Sequence, residues 1–351
     1  MKVKKRVGIL TGGGDCPGLN AAIRATAKTA DKIGYEVIGI RDGWEGLMED
    51  RSELLDSIKT AGIIDKGGTI LGATRTSPFR VENGTQRVFD GFKALRLEAL
   101  VVLGGEGTLA VTSQLFKMGL PVVGIPKTID NDVEETDFSI GFQTAVQIAT
   151  DALDRLRSTA ASHHRVMLLE VMGRRAGWIA TFAAIASGAE AVIIPEVPLT
   201  EKRIESLCHM LKGRNSRGKN FSIIVVAEGT QMEGEIISRP NPYITANEDR
   251  DKLGGVGQLI GALLEKRTGL ETRVSSLDYI QRGGTPVAYD RSLATFFGVK
   301  AARLVKQGRY GRMVALKRGR ITSTLLEKVE GRVKLVNPVV LKTAEIFFGE
   351  E

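Results

Sequence analysis

Short, continuous runs of Val, Ile and Leu alternate with helical patterns along this 351-residue chain, and that alternation limits the folds open to it. The runs stand at Val7–Leu10, Val37–Ile40, Leu100–Leu103, Val122–Ile125, Val166–Leu169, Val192–Ile194 and Ile223–Ala227. Helical spacing appears at Ala21–Ile33, Gln143–Leu156, Trp178–Ala186 and Ile204–Leu211. An apolar run without alternation is a strand covered on both faces. Strands that alternate with helices close into parallel sheets with helices on either side. The expected fold class is therefore α/β. The length suits two domains or one large one, and around Gly141 and Phe142 the first set of strand-end loops gives way to a long helix and a second αβ set. No solenoid repeat or low-complexity linker interrupts the pattern.

The polar chemistry sits where the apolar runs stop. Gly12-Gly13-Gly14-Asp15 follows the first run and precedes a helix, a place where backbone N–H groups and a helix N-terminus meet phosphate oxygens. It could equally be a tight turn that needs glycine only for its backbone angles. No Gly-Lys-Ser/Thr follows, so it is not a P-loop, nor is it the usual dinucleotide fingerprint. Gly104-Gly105-Glu106-Gly107-Thr108 ends another run, and a carboxylate there suits Mg²⁺, which takes oxygen ligands and shares phosphate oxygens with few carboxylates. The alternative for Glu106 is a helix-start acid favoured by the macrodipole. Pro126-Lys127-Thr128-Ile129-Asp130-Asn131-Asp132 places a cation, a hydroxyl and two carboxylates within seven residues. Phosphoryl transfer to a hydroxyl needs such a base, with cations on the phosphoryl oxygens. Read alone, Asp-Asn-Asp is also a common turn. Met172-Gly173-Arg174 and Glu228 end two further runs.

Composition excludes other classes. The net charge is +8, from 49 basic and 41 acidic residues. Those charges are dispersed and aromatics make up only 5%, so no nucleic-acid partner is expected; basic residues beside the motifs suit phosphorylated small molecules. No apolar stretch is long enough to span a membrane, and the basic N-terminus runs into a strand without a signal-peptide core. A cytoplasmic protein is expected. Cys16 and Cys208 are the two cysteines; Cys16 lies inside a glycine loop, which argues against a disulfide, and no Cys/His cluster has zinc-ligand spacing.

Five signatures occur in order: Gly12 to Asn20, Gly104 to Thr108, Pro126 to Asp132, Glu170 to Arg174, and Ile280-Gln281-Arg282-Gly283-Gly284. Together they resemble the 6-phosphofructokinase family from about residue 6 to about residue 330. The resemblance implies two similar three-layer α/β/α domains with mostly parallel sheets and the active site in the cleft between them. Residues 1–141 plus 281–325 would form the phosphate-donor (ATP/Mg) domain, and 142–280 plus 326–351 the fructose 6-phosphate domain. It implies transfer of the γ-phosphoryl group of ATP to the 1-hydroxyl of fructose 6-phosphate, in a homotetramer whose sites are shared between subunits. The runner-up is a pyrophosphate-dependent enzyme of the same family. More remote rivals are a related kinase with another substrate and a nucleotide-binding regulator without turnover; Arg174, Glu228 and Arg282 argue against the first, and Asp130 with Arg174 against the second.

Residue by residue, the resemblance makes Asp130 the general base, Asp132 its orienting or coordinating neighbour, and Thr128 and Arg174 contacts of the transferring group, with Lys127 beside them. Gly14, Asp15, Arg75, Thr76, Glu106, Gly107 and Thr108 would hold the donor, with Glu106 the Mg²⁺ ligand where the family usually has Asp. Thr128, Asp130, Arg165, Met172, Gly173, Arg174, Glu228, Arg273, Tyr279 and Arg282 would hold fructose 6-phosphate. Arg165 and Arg273 would reach in from a neighbouring subunit, and Tyr279 replaces a common His. Gly107 is the residue of ATP users; Lys127 is that of pyrophosphate users. We weight Gly107 more, because it leaves room for the α-phosphate. Trp44 and Phe79 match positions near the nucleotide base. Arg24, Arg157, Glu190 and Lys219 match an effector site of bacterial members, whereas Lys28, Ser57 and Asn220 depart from it.

Overall fold

The computed structural model describes residues 4–232 and 254–347. The chain divides into two compact units, Met1–Thr144 with Arg282–Lys334, and Ala145–Gln281 with Leu335–Glu351.

The first unit holds a seven-stranded sheet in the order β11-β10-β5-β4-β1-β2-β3. Its strands are β1 (Lys5–Thr11), β2 (Tyr35–Ile40), β3 (Ser52–Leu54), β4 (Leu97–Gly104), β5 (Val122–Pro126), β10 (Arg312–Lys317) and β11 (Arg320–Leu325). The five inner strands are parallel, and only the edges β3 and β11 run antiparallel. Helices α1 (Leu19–Lys32), α2 (Gly43–Met48), α3 (Gly84–Ala94), α4 (Glu106–Lys117) and α9 (Ala288–Lys306) belong to this unit. Central β1, β4 and β5 are buried on both faces, which is why they read as unbroken apolar runs. From β1 the chain moves outward to β2, then returns to the other side of β1 as β4. The strand order therefore reverses between β1 and β4, and loops at the carboxyl ends of such strands are where α/β sheets bind ligands.

The second unit holds an all-parallel sheet ordered β7-β8-β6-β9. Its strands are β6 (Val166–Val171), β7 (Ala191–Ile193), β8 (Ser222–Ala227) and β9 (Thr272–Ser276). Helix α5 (Phe142–His163) starts in the first unit and runs on into the second. There it is joined by α6 (Trp178–Ser187), α7 (Glu201–Ser216), α8 (Val256–Thr268) and α10 (Pro338–Phe347). β6 and β8 are fully buried, and Leu168, Ile193, Ile224 and Val226 pack with Leu211 and Ile260 in one core.

All seven apolar runs are strands and all four helical patterns are helices. Against the expected domains, residues 142–144 and 326–334 lie with the first unit and Gln281 with the second. Leu326 and Val329 join the first unit's core, and Val333 makes an antiparallel bridge to Val133.

Candidate active site

In the first unit three loops leave the carboxyl ends of adjacent strands β1, β4 and β5. The β1 turn is tied to its neighbours through Gly12 N–H to Leu103 O and Gly13 N–H to Thr74 O, both 2.9 Å. The Thr108 side chain fills the gap between two strand-end glycines: a Cβ on Gly104 would lie 2.3 Å from Thr108 Cβ, and one on Gly12 2.7 Å from its Cγ2. Glu106 opens α4 and is half-buried, while Gly107 beside it is exposed. A Cβ built on Gly107 meets no atom within 4 Å, so position 107 borders open space. Thr76 donates to Glu45 at 2.7 Å, a bond that, with Arg51, holds the Glu45 carboxyl below its ordinary range. Arg75 is exposed.

Lys127 enters this cluster from below. It is only 2% exposed, and its ammonium donates to the carbonyls of Gly12 (2.9 Å) and Gly14. Burial lowers its pKa, and the nearby Arg282 guanidinium lowers it further. A cation shut away from water takes the nearest carbonyls, so Lys127 pins the glycine turn from its protein side. Arg282 lies against the same turn: its Nη1 donates to Asp15 O at 3.3 Å and would be 2.6 Å from a Cβ on Gly14. Only glycine at 14 lets that guanidinium lie so close.

The β5 loop carries Thr128, Asp130 and Asp132. Its base is closed by Thr128 N–H to Ile140 O (3.1 Å) and Ile140 N–H to Pro126 O (3.2 Å). Asp130 is buried, and its backbone N–H donates to Thr128 Oγ1 at 3.2 Å. Asn131 between the two acids is left-handed, with φ 52°. Its side chain stabilises that turn, accepting from Ser139 N–H at 3.0 Å and donating to Asp137 O at 3.3 Å. Thr128 closes a local hydroxyl turn on Asp130, and Asn131 ties the loop across to residues 137–139, so the turn and the site are the same object. Buried Asp290 also braces this region, accepting from Gly141 N–H (3.0 Å), Thr144 N–H (2.8 Å) and Thr144 Oγ1 (2.6 Å).

In the second unit Met172, Gly173 and Arg174 follow β6, Glu228 follows β8 and Tyr279 follows β9, all at carboxyl ends. Gly173 has φ 149°, and a Cβ there would lie 2.5 Å from Ala176 O. One oxygen of Glu228 accepts from Arg174 N–H at 3.2 Å, fixing the β6 turn. Tyr279 is exposed. Arg165 and Arg273 lie elsewhere. Arg165 precedes β6, Arg273 is the second residue of β9, and both pair with Glu271. Seven residues separate Arg165 from Met172, about 23 Å along a strand at roughly 3.3 Å per residue. Within their own unit these two arginines stand at the opposite end of the sheet from Arg174.

Two matched positions are packed into the protein. Trp44 is buried in the first unit's core. Glu190 is buried, bonded to Arg214 (2.9 Å) and to Ile223 N–H (2.6 Å). Sequence reasoning also assigned no role to Glu170, whose carboxylate accepts from Gly255 and Gly257 N–H, both 2.8 Å, at the start of α8. An acid inside an otherwise apolar strand was the signal for it.

The family model described as PFK: Phosphofructokinase matches residues 6–305. The chain belongs to the phosphofructokinase family and is a phosphotransferase acting on a hydroxyl group. It is 42% identical over 347 residues to a pyrophosphate–fructose 6-phosphate 1-phosphotransferase of Dictyoglomus thermophilum, covering 99% of each chain. It is 44% identical over 362 residues to an ATP-dependent 6-phosphofructokinase of Chloroflexus aggregans, again covering 99% of each. Among solved structures, phosphofructokinase from Saccharomyces cerevisiae superposes with a TM-score of 0.80 at 31% identity, covering 93% of this chain and 45% of that one.

Proposed function

We propose that this chain is a 6-phosphofructokinase that transfers the γ-phosphoryl group of ATP to the 1-hydroxyl of fructose 6-phosphate, yielding fructose 1,6-bisphosphate and ADP. The observation that carries the reading is the buried Thr128–Asp132 turn, which presents Asp130 at the end of β5 beside the glycine turns of β1 and β4. Asp130 accepts the proton of the 1-hydroxyl as that oxygen attacks the γ-phosphorus; the bond to the β-phosphate oxygen breaks and ADP leaves. Thr128 and Arg174 stabilise charge on the transferring group, and Asp132 orients the acceptor. Gly14, Asp15, Arg75, Thr76, Gly107 and Thr108 hold the donor. Met172, Gly173, Glu228 and Tyr279 of the second unit, with Arg282 of the first, hold the sugar phosphate, so the first unit is mainly the donor domain and the second mainly the sugar domain. Glu106 would hold Mg²⁺, which supplies neutralising charge to the donor phosphates when bound; one carboxylate suffices because magnesium keeps waters and phosphate oxygens as its other ligands.

ATP is the donor because Gly107 borders open space. Pyrophosphate is the second reading, favoured by the buried cation beneath the Gly12–Gly14 turn and by the name of the Dictyoglomus relative. Arg165 and Arg273 complete the pocket of a neighbouring subunit in a cytoplasmic homotetramer; their place at the far end of the second unit's sheet supports this. The test of the base is Asp130→Asn. Both substrates should still bind, and kcat should fall by roughly 10²–10⁴-fold. Near-normal kcat at saturation would remove Asp130 from the role.

A further inference from the structure

The catalytic loop does not end at Asp132, and its outer half is held by a residue far away in sequence. Lys334 meets it three times. Its backbone N–H donates to Asp132 O at 2.8 Å, and its ammonium donates to Thr136 O at 2.8 Å and Asp137 O at 3.0 Å. The preceding residue, Val333, bridges Val133. Asp137 O is the same carbonyl that accepts from the Asn131 side chain, at 3.3 Å. One acceptor therefore joins the Lys334 ammonium to the left-handed residue that separates Asp130 from Asp132. Other anchors of the loop's outer half come from β10, β11 and the turn between them: Leu316 N–H to Thr136 Oγ1 (3.0 Å), Arg318 N–H to Asp137 Oδ2 (2.6 Å), and Thr324 Oγ1 to Glu135 (3.0 Å). None of these reaches the Asn131 end. Lys334 bonds both the residue after Asn131 and the carbonyl that Asn131 itself uses.

We propose that Lys334 is a positioning residue for the transfer reaction, holding the Asn131–Asp137 turn so that Asp130 and Asp132 keep their aim. The inference rests on the reading of Asp130 as base. Lys334 lies beyond the family match, which ends at residue 305, and it is the last residue of the first unit. Burial draws its pKa down to about 8, and the charges of Asp132, Glu134 and Asp137 work against that shift. An ammonium held by main-chain carbonyls acts through geometry, and displacement of a catalytic group by about 1 Å can lower a rate by roughly 10²-fold.

The test uses Lys334→Met, which keeps the aliphatic stem, with Lys334→Gln as a second variant should Met impair folding, and Lys334→Arg as the conservative change. In the full chain, with fructose 6-phosphate, Mg²⁺ and whichever of ATP or pyrophosphate the parent uses, kcat should fall roughly 10–100-fold in Met and Gln. The donor KM should stay within about threefold, and Arg should recover most of the loss. Independently of activity, hydrogen exchange at the Asn131–Ser139 amides should quicken at least about tenfold in Met or Gln while the β1 and β4 amides keep their protection. Parent-like kcat, or parent-like exchange in the loop, overturns the proposal. An equal rise in donor KM, or loss of protection across the whole unit, also overturns it, since either marks a merely structural role. A parent inactive with both donors sinks the functional reading instead, and the exchange result then decides alone whether Lys334 holds the loop.

Discussion

Gly107→Asp changes the donor site at the one position where the structure leaves space and the chemistry has most to lose. Gly107 is the second residue of α4, exposed, and a Cβ there touches nothing within 4 Å. Folding should tolerate aspartate well, and an acid in the first turn of a helix adds about 0.3–1 kcal/mol through the macrodipole. The penalty falls on the donor. Two negative charges about 4 Å apart repel by roughly 4 kcal/mol at an effective dielectric of 20 and by about 1 kcal/mol in bulk water. Since about 1.4 kcal/mol is a factor of ten, the KM for ATP should rise by between about fivefold and about 10³-fold. The exposed position pulls toward the lower end. Pyrophosphate lacks the α-phosphate, so its KM should change far less. The assay is initial rate against fructose 6-phosphate and Mg²⁺ with each donor alone, alongside a melting curve to establish folding. Equal KM changes for ATP and any pyrophosphate activity, or no change for ATP in a folded variant, would refute the argument that open space at Gly107 receives the nucleotide.

Three further outcomes follow from the same geometry. Lys127→Met leaves the Gly12 and Gly14 carbonyls without their ammonium, at about 1–3 kcal/mol for each buried acceptor; the KM for any usable donor should rise about tenfold or more, and a rise for one donor only would mean the ammonium serves that donor directly. An Asp130→Ala variant mixed with an Arg273→Ala variant should regain activity in hybrid oligomers, because each supplies what the other lacks; absence of recovery with proven subunit exchange removes the shared-site assignment. Burial raises the Cys16 thiol to about 12. Its folded pKa lies above the unfolded value, so the unfolded chain loses this proton first as pH rises. This group's share of stability is whole below about pH 9 and falls by about 1.4 kcal/mol per unit above it. Thiol reagents at pH 8 should accordingly find both buried cysteines only after denaturation, and rapid labelling of native Cys16 would contradict the burial.

Most inner strands were legible because parallel strands must be apolar on both faces, a pattern no other element shares; inner β10, Arg312–Lys317, was missed because its short apolar stretch is flanked by basic residues. Strands β3, β9 and β11 were not legible either. Each is a sheet edge with an exposed face, and β9, Thr-Arg-Val-Ser-Ser, carries a single aliphatic residue. Strand ends located the motif residues, yet side-chain direction lay beyond the sequence. Lys127 reads as a phosphate-facing cation in a polar loop, but its long stem carries the ammonium into a dry space walled by carbonyls. Arg282 reads as part of the sugar-phosphate set and rests on Gly14. Glu190 reads as a ligand-binding acid and is taken by Arg214. Lys334 could not be found, because its partners are two hundred residues earlier and are main-chain atoms, which carry no sequence signature.

The most direct measurement is turnover of fructose 6-phosphate with Mg²⁺ and a single donor, ATP in one arm and pyrophosphate in the other, scored by formation of fructose 1,6-bisphosphate. The account predicts turnover with ATP that depends on Mg²⁺ and is lost in Asp130→Asn. Turnover with pyrophosphate and none with ATP would contradict the donor assignment and make Lys127 a better guide than Gly107; no product with either donor would contradict the central claim.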